Sequence, residues 1–255
     1  MTAENQTFWS SGKRAREYST RDHLYPAESR FIREFGDCMR GWRMLDLGVG
    51  GGRTTIHFAP LVADYVGTDY SETMLEGCRT RFATWSPALD LRLADVRDLT
   101  MFPDADFDFV LFSFNGLGEV DHDGQKAALA EIHRVLKPGG CFLFSSHNLL
   151  SVDQLFRLRL SRHPKRLLRN LRRHVEIRRA NRQLGDRHAL RGHALLHDYG
   201  TDWTKVSYYV EPREQLAQLA LAGFRHGEIY EAEVVEDVGG TASAAQPWLH
   251  YLARA

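Results

Sequence analysis

Between Arg43 and Ser146 short apolar runs alternate with segments of helical period, which predicts a succession of strands and helices. RMLDL (43–47), DYVGTD (64–69), DLRL (90–93), FDFVLFS (107–113) and GCFLFSS (140–146) read as strands. SETMLEGCRTRFATW, with Ser71 placed to cap its first turn, and GQKAALAEIHRVLKPGG, closed by Pro138, Gly139 and Gly140, read as helices. Such alternation implies a parallel sheet wound right-handedly, with ligands beyond the carboxyl ends of its strands.

Outside this block the pattern changes twice. Residues 1–42 read as a helical segment with Pro26 in a first turn, a lid or simple packing ahead of the sheet. From Lys205 onward the chain reads as a strand, a helix opened by Pro212 and stopped by Gly223, another strand, and a last strand in PWLHYLARA. The 43–255 domain is thus interrupted by 151–200, a basic helical insertion. It holds 13 Arg or Lys against 4 Asp or Glu, leaving 20 and 29 for the rest of a chain whose net charge is +0.

Composition adds limits. With 255 residues, 43% apolar and 26% charged, the chain has the make-up of an ordinary globular protein. Cys38, Cys78 and Cys141 are odd in number and far apart, which disfavours a disulfide framework or a zinc site. The N-terminus has no apolar signal core and no run is long enough to span a bilayer, so a cytoplasmic protein is expected.

The chemistry starts at LDLGVGGGRTT, residues 45–55. A dinucleotide site wants G-x-G-x-x-G, but the position of the third glycine is Arg53, and Asp46 lies two residues before Gly48. A carboxylate there faces a pyrophosphate poorly and suits a ligand with an ammonium and a sulfonium. The tight turn at Gly48 and Gly50 lets the backbone approach such a ligand closely. Asp69, ending the second strand, can accept both hydroxyls of a ribose. Asp95 can accept from an adenine amine, with Val96 against the ring.

Asp46 with Gly48, Gly50 and Gly52, then Asp69, Asp95-Val96, FDFVLFSFNGLGEV and RVLKPGG together resemble the successive motifs of class I S-adenosylmethionine-dependent methyltransferases of the small-molecule type. The resemblance covers about residues 40–147 and resumes from about 205. It implies a Rossmann-like α/β fold, a seven-stranded, mostly parallel sheet with helices on both faces and its last strand antiparallel, with the helical insertion as a cap between strands five and six. It implies S-adenosylmethionine as cofactor, its methionine end held by Asp46, Gly48 and Gly50, its ribose by Asp69 and its adenine by Asp95 and Val96. Tyr70 would lie against the adenine face, and Phe112 and Ser113 would line the cofactor.

Methyl transfer from a sulfonium is an in-line displacement in which alignment matters most. His147, just beyond strand five, is the candidate base, and Tyr18 in the N-terminal segment the candidate aligning phenol. SFNG (113–116) lacks the proline tetrad of family members that methylate base amino groups, and no carboxylate triad suggests Mg²⁺, so no metal is expected. The expected reaction is methylation of an oxygen or nitrogen of a small anionic metabolite. In the insertion Leu167, Leu168, Leu171 and Val175 share a helical face among arginines that could clamp an anion, dock an acidic carrier or touch an anionic membrane surface. An RNA methyltransferase is the rival enzyme, disfavoured because the insertion lacks an aromatic platform. A non-catalytic S-adenosylmethionine-binding protein is the rival outside enzymes.

Overall fold

The computed structural model describes residues 5, 8–9, 12–185, 189–199, 205–231 and 246–255. The strands are β1 (Arg43–Leu47), β2 (Asp64–Asp69), β3 (Asp90–Leu93), β4 (Phe107–Phe112), β5 (Leu136–Asn148), β6 (His193–Tyr199), β7 (Lys205–Val210), β8 (Arg225–Ile229) and β9 (Trp248–Arg254). The helices are α1 (Gly12–Tyr18), α2 (Pro26–Met39), α3 (Thr55–Phe58), α4 (Glu72–Arg81), α5 (His122–Val135), α6 (Val152–Phe156), α7 (Pro164–Ala180) and α8 (Pro212–Leu221). No described helix is long and apolar enough to cross a membrane.

β3, β2, β1, β4 and β5 pair in that order, all parallel, and β9 pairs antiparallel with β5 and β8. These are the seven strands of the expected sheet, the last of them reversed. Among the described residues the sheet nevertheless carries nine strands. β5 runs past the last residue of β4, where Phe112 faces Phe144, and in the overrun His147 and Asn148 pair with Tyr209 and Val210 of β7, which forms an antiparallel hairpin with β6. Since Trp248 of β9 fills the other edge of β5 at His147, the hairpin stands beyond the carboxyl end of β4. KVSYYV is therefore a rim strand, and the sixth strand of the main sheet is β8. The insertion is not purely helical either, because β6 belongs to it.

Alternate residues of the central strands feed two cores, as the two-residue period of a strand buried on both faces requires. Leu45, Val110, Phe142 and Phe144 pack with Leu129 and Ile132 of α5 and Leu219 of α8. Met44, Phe109, Leu111 and Leu143 pack with Phe31 and Met39 of α2 and Phe58 of α3. A separate cluster of Val152, Phe156, Ile177, Leu196 and Tyr209 holds the insertion together. Ser71 caps α4, its hydroxyl accepting from the Met74 amide at 3.4 Å, and Pro26 and Pro212 sit in the first turns of α2 and α8. Of the stripe on α7, Leu168, Leu171 and Val175 face solvent, while Ile177 is the buried residue of that helix.

Candidate active site

Two chambers open at the carboxyl edge of β1, β2, β4 and β5, where the strand order reverses. The inner one is lined by Asp46, Gly48, Gly50, Asp69, Tyr70, Asp95, Val96, Phe112 and Ser113, which brings together every residue expected to hold a cofactor. Gly48 has φ +64°, and a Cβ there would lie 2.9 Å from the Phe112 ring, so neither backbone nor space admits a side chain. At Gly51 a Cβ would lie 2.4 Å from the Ser19 amide nitrogen, because the N-terminal strap rests directly on the loop.

The two acids of the loop are deeply buried. Asp46 Oδ2 accepts from the Thr54 hydroxyl at 2.6 Å and the Tyr65 hydroxyl at 2.8 Å, while Oδ1 has no protein partner among the described residues. Burial pushes its carboxyl up to about 6, against those hydrogen bonds and the Arg53 charge. Asp69 accepts from the Ser71 amide on Oδ1 and from the Gly50 amide on Oδ2, each at 2.9 Å, and burial again outweighs them, pushing it to about 6. Both carboxyls are protonated as pH falls through 6, and a cationic, ribose-bearing ligand needs them ionised. Affinity for S-adenosylmethionine is therefore expected to be level above about pH 7 and to drop roughly tenfold per pH unit, for each acid that must ionise, below 6. Calorimetric titration between pH 5 and 8 measures this, and a flat profile would detach these acids from the ligand.

Asp95 differs. Its carboxylate is chelated by Arg97, with Nη2 donating at 2.6 Å and Nε at 3.0 Å, and it also accepts from the Arg97 amide. Burial raises its carboxyl, but the Arg97 bonds and charge prevail and hold it below the ordinary range. Much of the acceptor capacity expected for an adenine amine is thus taken by Arg97. Ser113 likewise spends its hydroxyl on protein: it accepts from Arg53 Nη2 at 2.6 Å and donates to Glu28. Glu28 of α2 and Arg53 form a bidentate pair at 2.7 and 2.6 Å, with side chains 1% and 9% exposed. Arg53 read in sequence as a missing glycine, and nothing marked Glu28 as its partner.

The outer chamber, about 370 Å³, is lined by aromatic Tyr209 and Trp248, by His147, Asp198 and Lys205, and by Leu155, Arg159 and Arg173 of the insertion. Trp9, Tyr18, Arg21, Phe114 and Glu119 line both chambers and form their common wall. Tyr18 stands edge-on to Trp9 at 5.2 Å and to Phe114 at 5.9 Å, with the Arg21 guanidinium 4.0 Å over its ring. Tyr25 lies outside both chambers, anchoring the start of α2 and stacked on Phe114. Phe114 and Asn115 both adopt left-handed φ, 55° and 58°, a costly pair that aims the wall.

His147 stacks on Tyr209 at 4.7 Å, with Nε2 3.9 Å from Asp198 Oδ2, beyond hydrogen-bond reach. Burial lowers its imidazole to about 4 despite the Asp198 charge, so it is neutral near pH 7. Lys205 pairs with Glu119 at 2.8 Å and donates to Ser207, which donates to Asp198, as does Tyr209. Lys205 is thus absorbed by two carboxylates. Arg159 and Arg173 both line the chamber, and burial, with the repulsion of the Arg159 charge, lowers the Arg173 guanidinium.

A parallel sheet of this order with a reversed last strand and a glycine-acid loop at its switch point defines a Rossmann-like methyltransferase fold. Residues 44–140 match the family model of the methyltransferase domain. The chain is 31% identical over 115 residues to the putative methyltransferase YqeM of Bacillus subtilis, covering 45% of this chain and 46% of that protein. It is 36% identical over 125 residues to the ubiquinone/menaquinone biosynthesis C-methyltransferase UbiE of Azotobacter vinelandii, covering 47% and 48%. The match thus spans about half the length of these curated relatives. Among solved structures, the 1,6-didemethyltoxoflavin-N1-methyltransferase of Burkholderia thailandensis shares the fold with a TM-score of 0.61 at 18% identity, over 98% of this chain and 86% of that one. A methyltransferase from Mesorhizobium loti does so with 0.59 at 22% identity, over 90% and 98%.

Proposed function

We propose that this protein is a cytoplasmic enzyme that transfers the methyl group of S-adenosylmethionine to an oxygen or nitrogen of a small anionic metabolite held in the outer chamber. The observation that carries the reading is the common wall: a chamber of cofactor character touches one of substrate character through Tyr18, Trp9 and Phe114. The inner residues fit the cofactor. Asp46 keeps one carboxylate oxygen for an ammonium, Asp69 has lone pairs beyond its two amide bonds for ribose hydroxyls, and Tyr70 and Val96 offer apolar surface to a purine. When bound, the cofactor supplies a methyl group activated on sulfur. The three free cysteines suit a reducing compartment.

In this reading residues 151–200 cap the substrate, and Arg159 with Arg173, both in the chamber lining, take its carboxylate or phosphate. Tyr18 excludes water and orients the acceptor atom. An acceptor atom so oriented would take the methyl group that the bound cofactor supplies, and the sulfur would keep the electron pair of the bond it gives up. His147 is the group placed to take the proton freed from the acceptor; burial disfavours its cation and the Asp198 charge offsets part of that. One relative is named for carbon methylation and one structural neighbour for nitrogen methylation, so the domain alone does not choose the acceptor atom; in our reading the outer chamber does.

The test is release of S-adenosylhomocysteine across a panel of carboxylated and phosphorylated acceptors and their neutral esters. Turnover is expected with an anionic acceptor and lost with its ester, and Tyr18→Phe should lower kcat about tenfold or more while leaving Tm unchanged. Turnover on RNA alone, or on neutral acceptors alone, would replace the reading. A wild-type rate with a lowered Tm would make Tyr18 a packing residue.

A further inference from the structure

The outward face of α7 combines two features that seldom share one solvent-exposed surface. Leu168, Leu171 and Val175, spaced along one stripe, are 70%, 41% and 54% exposed, and Leu160 just before the helix is 80% exposed. A helix packed on a globular core turns such a stripe inward. Here α7 is held instead by Ile177, buried in the insertion's cluster, and the stripe is left facing out. Exposed Lys165, Arg172 and Arg179 border it, three residues before and four and eleven after Leu168. Within Pro164–Ala180 seven Lys or Arg stand against Glu176 alone.

We infer that this face of α7 docks on an anionic lipid surface, with Leu168, Leu171 and Val175 entering the boundary between headgroups and acyl chains and Lys165, Arg172 and Arg179 meeting lipid phosphates. A helix that is strongly cationic and polar over most of its surface, yet carries one apolar stripe, is the pattern that lies in a bilayer interface. The charge and the stripe choose this occupant together. A second copy of the chain docking face to face would set cation against cation. A nucleic acid would satisfy the cations but give the aliphatic stripe nowhere to bury, and α7 has no Phe, Tyr or Trp for bases to stack on. The inference is independent of which acceptor the outer chamber takes.

Cosedimentation of the full chain with vesicles of phosphatidylcholine alone, and of phosphatidylcholine mixed with phosphatidylglycerol, tests it. Binding to the mixed vesicles is expected to exceed binding to the neutral ones at least tenfold and to weaken with salt. Lys165→Gln/Arg172→Gln/Arg179→Gln should lose roughly a hundredfold in partitioning, at about fivefold per cation near an anionic surface. Leu168→Ser/Leu171→Ser/Val175→Ser should lose binding as well, although its charge is unchanged. All of these positions are exposed, so Tm and affinity for S-adenosylhomocysteine should stay as in the wild type. Equal binding to both vesicle types, or no binding to either, overturns the inference. So does binding to an RNA homopolymer without vesicle binding, which would assign the face to nucleic acid. A lipid-free dimer abolished by the leucine variant would assign it to self-association.

Discussion

Arg53→Met is expected to destabilise the protein by about 3–5 kcal/mol, because it leaves the Glu28 carboxylate buried without its cation. For a domain of this size that is a fall in Tm of roughly 10 °C. Glu28 is 1% exposed and also accepts from the Tyr25 amide at 2.7 Å, so α2 cannot shift to bring it to water without breaking its own capped start. Glu28→Gln/Arg53→Met removes both charges and should recover much of the loss, since a neutral buried pair of similar volume is often no worse than an ionic one. Melting curves of the two single variants and the double variant form a cycle that isolates the pair. A single-variant loss under about 1 kcal/mol would mean that water reaches the pair and that it behaves as a surface ion pair. Burial raises the Glu28 carboxyl, but Arg53 and Ser113 outweigh it and hold the folded value below the ordinary range. The pair's stabilisation is therefore complete above the unfolded carboxyl value of about 4.3 and is lost as pH falls through the lower folded value.

The second large effect belongs to Asp69. In Asp69→Ala a ligand ribose loses charge-assisted hydrogen bonds worth about 1.5–3 kcal/mol each, so affinity for S-adenosylhomocysteine should fall at least about tenfold, and more if both hydroxyls are held. Removing the carboxylate also releases the amides of Gly50 and Ser71, which ties the loop to the ribose site. Asp95→Ala should cost less, because Arg97 already occupies much of that carboxylate. Isothermal titration ranks the two. An unchanged dissociation constant in Asp69→Ala would make that residue a strut of the loop.

The inner chamber was legible because its lining residues sit at fixed offsets from strand ends. Once the strands at 43–47, 64–69 and 90–93 are read from their apolar runs, Asp46, Asp69 and Asp95 fall on one edge of the sheet, and the family resemblance adds Phe112 at the end of the strand at 107–113. The outer chamber was not, because its walls come from contacts distant in sequence. Trp9, Glu119 and Lys205 meet through a bond from Trp9 Nε1 to Glu119 Oε2 at 3.1 Å and the Lys205 pair, and no local pattern announces such a meeting. The insertion was legible only in part, for a related reason. Leu168, Leu171 and Val175 have the spacing of a core face, and periodicity reports a stripe without telling whether protein or solvent meets it. The rim hairpin escaped because the extra length of β5 is invisible in a run read as ending at Ser146.

The close seat of Tyr18 and Ser19 on Gly51 bears on the tempo of ligand exchange at the inner chamber. Tyr18 and Ser19 press on the same loop that a cofactor must touch, and Arg81 donates to the carbonyls of both Arg21 and Gly51, latching the strap to α4. On the proposed reading, exchanging spent cofactor for fresh would ask the chain to lift Tyr18 and Ser19 from the loop, an opening that would slow arrival and departure alike and leave the equilibrium constant to the pocket. Because Tyr18 and Trp9 also wall the outer chamber, each opening undoes part of the acceptor's seat. On the proposed reading, connectivity would set an order of events, with cofactor first, the N-terminal segment second and acceptor last, and rapid-mixing kinetics with the two ligands added in either order tests it.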